Sequence, residues 1–202
     1  MPSLAQPQST PDHYLALERQ ATHRSEYING HIFAMAGASR QHNLIAGNVF
    51  GELRAQLRGR PCEAYINDMR VKVGVTGLYT YPDVAALCGE PHFEDRHLDT
   101  LLNPSIIVEV LSPSTEAYDR GEKFAHYRRL ESLRDYVLIA QDKVRVEHYV
   151  RQGDQWILSE ASDLSSVVHL SSIGCDLVLL DIYDKVEFPN TEAGTSSRGD
   201  AI

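Results

Sequence analysis

Residues 105–111 read Ser-Ile-Ile-Val-Glu-Val-Leu, apolar on both alternating faces apart from one glutamate. Strand side chains point to opposite faces in turn, so such a run predicts a strand covered on both sides. Residues 79–87 form a second apolar run and carry Asp83 in the same way. Apolar residues at helical spacing predict helices over residues 12–20, capped by Asp12, and over residues 39–58, where Leu44, Ile45, Val49, Leu53 and Leu57 line one face. A third helix opens at Glu116 or Asp119 and runs to residue 130. Asn29-Gly30 marks a tight hairpin within residues 24–36, and Gly153 with its neighbours marks another between residues 145–151 and 155–158. Residues 63–73 alternate as one strand, residues 89–103 read as a charged loop, and residues 135–140, 167–170 and 176–180 as further strands, the last entering a short helix by Ile182. The expected architecture is mixed α/β, a central mixed sheet flanked by helices in one domain over residues 12–188, with a flexible arm over residues 1–11 and a disordered tail over residues 189–202.

Composition narrows the classes. The 202 residues are 43% apolar and 23% charged, as in globular domains, and no apolar run approaches the roughly 20 residues needed to cross a bilayer. The first residues lack the basic and apolar regions of a secretory signal. Cys62, Cys88 and Cys175 are odd in number and widely spaced, which predicts neither a disulfide framework nor a zinc site, and so a reducing cytoplasm. A net charge of −9 opposes non-specific phosphate binding, although Arg54, Arg58 and Arg60 cluster near one helix end and Arg120, Arg128 and Arg129 near another.

The candidate chemistry rests on the two acids. An unpaired carboxylate inside a buried strand costs several kcal/mol (roughly), so two on neighbouring strands point to a compensating cation. Hard oxygen ligands suit Mg²⁺ or Mn²⁺, and the bland alternative is pairing with arginines. Lys123 lies twelve residues after Leu111 on the third helix, sharing a face with Arg120 and Tyr127. Tyr127 reads as a packing residue and His42 as an ordinary helix histidine. His92 and His97 are five apart, not the four that place two ligands on one helix face. The chain has no Gly-x-Ser-x-Gly elbow, phosphate-binding lysine loop or dinucleotide fingerprint, and Ser112, Asp119 and His126 have no triad spacing.

Tyr81-Pro82-Asp83, then Val108-Glu109-Val110-Leu111-Ser112-Pro113-Ser114-Thr115, then Asp119-Arg120-Gly121-Glu122-Lys123 and Asp135-Tyr136-Val137-Leu138 resemble the PD-(D/E)XK nuclease superfamily, the restriction-endonuclease-like fold, and within it the Uma-type endonuclease family. Tyr27-Ile28-Asn29-Gly30-His31-Ile32, preceded by Glu26, fits the same pattern. The superfamily places its lysine two residues after the acid, where this chain has Leu111; Lys123 on the following helix stands in, as in the Uma-type branch. The resemblance implies a Mg²⁺- or Mn²⁺-dependent, homodimeric DNA endonuclease. Asp83 and Glu109 would hold the metal, Glu26 would assist, and Lys123 would act on the attacking water or the phosphate. A non-catalytic binding or assembly module on the same fold is the alternative.

Overall fold

In the computed structural model, residues 9–188 are described. The expected tail lies outside them, as does the arm except for residues 9–11. Those three are held: the Ser9 N–H donates to the Gly30 carbonyl at 3.0 Å, and the Tyr27 hydroxyl donates to the Ser9 carbonyl at 2.8 Å. Thr10, not Asp12, caps α1 (Pro11–Glu18), because Pro11 is suited to the first helical position.

The hairpin predicted around Asn29-Gly30 is β1 (Ser25–Ile28) and β2 (His31–Ala34), followed by α2 (Arg40–Gln56), capped by Ser39. Next come β3 (Cys62–Ile66), β4 (Arg70–Val73), β5 (Leu78–Thr80), β6 (Val84–Cys88), β7 (Thr100–Leu101) and β8 (Ile106–Leu111). A helical segment then runs through α3 (Glu116–Tyr118), a π-helical turn (Asp119–Lys123) and α4 (Phe124–Tyr127). The chain closes with β9 (Asp135–Ala140), β10 (Val146–Gln152), β11 (Gln155–Ala161), β12 (Val167–Leu170), β13 (Cys175–Val178) and α5 (Leu179–Ile182).

The strands form a six-stranded mixed sheet, β11-β10-β9-β8-β6-β3, a five-stranded sheet, β2-β1-β5-β4-β7, and the β12-β13 ribbon. Only β8–β9 in the larger sheet and β4–β7 in the smaller run parallel. All six residues of β8 are buried, as the doubly apolar pattern requires. On one face α2 packs Ile45, Val49 and Leu53 against Val84, Val108 and Val137; on the other, Ile107, Leu111 and Leu138 meet Phe124, Tyr127 and the smaller sheet's Val71 and Leu78.

The two long strands expected over residues 63–73 and 79–87 are each broken. Their first and second halves belong to different sheets, since β3 pairs with β6 while β4 pairs with β5. Asn67 turns the first with a left-handed φ of 54°, and Pro82, which lacks an N–H, sits in the second break. The two breaks are tied together, the Asn67 N–H donating to the Asp83 carbonyl at 2.9 Å. Asp83 is therefore in a bend at the mouth of β6 and not inside a strand. The charged stretch 89–103 contains β7 and is fastened by Arg19 to Asp95 and Asp99, at 2.8 Å each, and by Arg70 to Asp99 at 3.0 Å.

Two further expectations are corrected. Cys62 and Cys88 face each other in the β3–β6 register and form a disulfide, leaving Cys175 as the buried free thiol. Opposition across a strand pair, 26 residues apart in sequence, is invisible to a cysteine count. The cysteines thus give no ground for a reducing compartment. The single helix expected up to residue 130 is interrupted by its π turn, which breaks the shared face: Lys123 and Tyr127 point inward, while Arg120 pairs outward with Glu147 at 2.9 Å and Glu116 at 2.5 Å. Among the described residues no helix is long and apolar enough to cross a membrane.

Candidate active site

The site lies where the larger sheet, the smaller sheet and the helical segment meet. Val84 pairs with Val108 in the antiparallel β6–β8 register, so one residue further out Asp83 stands across from Glu109. Asp83 Oδ2 accepts the Val110 N–H at 2.7 Å, which fixes its carboxylate against β8. Glu109 follows the alternation of β8, on the side of Ile107 and Leu111, and is buried.

Lys123, equally buried, completes the cluster from the π turn. Its ammonium is 2.9 Å from Glu109 Oε1, 3.4 Å from Glu26 Oε1 and 3.6 Å from Asp119 Oδ1. Glu26 arrives from β1, where Tyr27 pairs with Tyr79 and so places Glu26 across from Thr80; the Thr80 hydroxyl donates to its carboxylate. All four residues expected from the sequence converge, Asp83 through Glu109 and the other three around one ammonium.

The structure adds residues that the sequence reading passed over. Tyr127, expected to pack, also donates its hydroxyl to Glu109 Oε1 at 2.9 Å. His42, expected to be ordinary, places Nε2 3.2 Å from Asp83 Oδ2. Asp119, weighed only for a triad, is buried beside Lys123, and its carbonyl accepts the Tyr136 hydroxyl at 2.9 Å. The four-residue spacings Asp119–Lys123–Tyr127 are the signal that could have found two of them; His42 depends on packing alone. His92 and His97 use their backbone N–H groups on Asn103 and Asp95 and lie outside the site.

Three carboxylates, Glu109, Glu26 and Asp119, share the Lys123 ammonium, and Asp83 stands beside Glu109. Burial lifts Glu109 well above the usual carboxylate range, Asp119 and Asp83 push the same way, and Lys123 opposes them. Burial also raises Asp119, against the pull of Lys123. For Lys123 burial acts downward, but Glu109, Glu26 and Asp119 outweigh it and hold the ammonium charged well above its ordinary value. Tyr127 is raised by burial and by Glu109, so it stays a donor.

Among the described residues no group of three or more His, Cys, Asp or Glu is spaced to enclose a metal. The donor chemistry nevertheless fits a hard divalent cation: the acids are in excess, and the bonds to Asp83 and Glu109 fall on Oδ2 and Oε1, leaving one oxygen of each without a hydrogen bond among the described residues.

This arrangement of bent hairpin, mixed sheet and acid–lysine cluster is the restriction-endonuclease-like fold. The crystal structure of "a putative nuclease belonging to DUF820" from Anabaena variabilis shares it, with a TM-score of 0.72 at 20% identity over 87% of this chain and 98% of that one. Residues 11–180 match the family Uma2, described as "Putative restriction endonuclease", and the chain belongs to that family. Two relatives come from Synechocystis sp. The uncharacterized protein sll1609 is 40% identical over 163 residues, 80% of this chain and 92% of that protein. The uncharacterized protein slr1290 is 35% identical over 190 residues, 93% and 97% respectively. Family and fold together support a nuclease.

Proposed function

We propose that this protein is a Mg²⁺- or Mn²⁺-dependent endonuclease that hydrolyses DNA phosphodiester bonds. The observation that carries this reading is the convergence of Glu109, Glu26 and Asp119 on the buried Lys123 ammonium, with Asp83 across from Glu109. Asp83 and Glu109 would hold the metal. When bound, the ion supplies an activated water and stabilises charge on the phosphate. Tyr127 fixes Glu109 Oε1, and Oε2 carries no hydrogen bond among the described residues. Glu26 and Asp119 hold Lys123 charged, and the ammonium neutralises the scissile phosphate or orients the water.

The second reading is a non-catalytic module on this fold, favoured by the net charge of −9, which weakens phosphate binding. Cleavage assays on plasmid and linear DNA decide between them. The wild type should cut with Mg²⁺ or Mn²⁺ and be silent in chelator. Asp83→Asn and Glu109→Gln should abolish cutting, and Lys123→Ala should lower it about a hundredfold or more, in the range seen when a single stabilising donor is lost. Cutting that persists in both acid variants would remove the assignment.

A further inference from the structure

Residues 31–40 are all exposed, an unbroken stretch that begins opposite β1 and ends two residues before His42. It joins the hairpin that carries Glu26 to the helix that carries His42. Within it, the β1–β2 register pairs Glu26 with Phe33 and Ile28 with His31. Directly opposed residues of an antiparallel pair share a face, with Cβ atoms about 4.5–5.5 Å apart. Phe33 and His31 therefore stand on the face from which Glu26 reaches Lys123. Phe33 is 55% exposed, and its ring centroid is 6.3 Å from that of His31 at an interplanar angle of 42°.

We infer that His31 and Phe33 form a stacking platform for an unpaired base of the substrate strand, held beside the scissile phosphate, so that the preferred substrate is single-stranded DNA or a single-stranded segment at a junction or end. The inference rests on the nuclease reading for the position of the phosphate. A π-face accepts any base, and stacking adds to binding beside the electrostatic contribution of the backbone. That matters in a chain of net charge −9, where backbone neutralisation contributes little. A second copy of the chain is the competing occupant, since β2 is an edge strand. The observations favour the base: β2 has only four residues, and Ile32 lies on the opposite face with Tyr27.

The test measures equilibrium binding of a single-stranded oligonucleotide containing 2-aminopurine, and of the matching blunt duplex, in the Glu109→Gln background, so that binding is read whether or not the wild type cuts. Phe33→Ala should weaken the single strand about tenfold and the duplex less than about twofold, with Phe33→Tyr restoring most of the loss. Phe33 is exposed, so its truncation leaves the core packing intact. No measurable single-strand binding, an unchanged affinity, or an equal loss on both ligands would overturn the inference. So would sedimentation showing that Phe33→Ala splits a dimer in step with the loss of affinity. Phe33-dependent binding by a wild type that does not cut would overturn the nuclease reading and leave the platform standing.

Discussion

Glu109 is buried on β8 between Ile107 and Leu111, and its protonation is set by what surrounds it. Burial raises its pKa, with Asp119 and Asp83 adding and Lys123 subtracting. A carboxyl whose folded pKa lies above its unfolded value, near 4.3, binds more protons folded than unfolded; stability is then lost as pH rises from about 4.3 through the folded pKa. Asp119, also raised, acts in the same direction. Lys123, raised from an ordinary value near 10.4, keeps its contribution throughout the neutral range and loses it only at strongly alkaline pH. In chelator, the melting temperature of the wild type should therefore fall between pH 5 and pH 8, and Glu109→Gln should show a shallower fall. Parallel slopes in the two proteins would show that Glu109 is ionised without penalty. At this scale the sequence was partly legible. Asp83 and Glu109 are visible because a charge in an apolar run costs energy; His42 is not, because its environment is made by a bend far along the chain.

The element that decides the site is the π turn at Asp119–Lys123. It winds an extra residue into the segment, so that Arg120 turns outward to Glu147 while Lys123 and Tyr127 stay inward on Glu109. Deleting Gly121 should restore regular spacing and rotate α3 and Asp119 by about 100° relative to α4. Cutting should fall to background while circular dichroism and cooperative melting persist. Gly121→Ala should keep activity and add up to about 1 kcal/mol of stability, because a Cβ there meets nothing within 4 Å. Full activity in the deletion variant would show that the turn does not orient the site. Element type was legible here from helical spacing, but the π register was not, since one extra residue leaves the apolar pattern nearly unchanged. The same limit applies to residues 63–73 and 79–87, where strand periodicity continues through both breaks and only the Asn67 and Pro82 backbones reveal them.

For the whole molecule, the proposed function would make folding and cation binding one equilibrium at the acid cluster. Mn²⁺ should raise the stability of the wild type by about 2.7 kcal/mol at a hundredfold excess over Kd, and that of Asp83→Asn far less. A melt that ignores Mn²⁺, together with a loss of about 3–5 kcal/mol in Asp83→Asn, would mark the cluster as a buried ion-pair network that only holds the fold. What the sequence alone determined was local in origin. The doubly covered β8, the amphipathic α2, the Asn29-Gly30 hairpin and the two acids all follow from alternation, helical period or turn chemistry within a few residues. Tertiary structure decided the pairings: Cys62 with Cys88, Glu26 with Lys123, Tyr127 with Glu109 and His42 with Asp83. Each depends on sheet register and on helices packing across it, and these are settled by burying the shared apolar faces rather than by any residue's immediate neighbours.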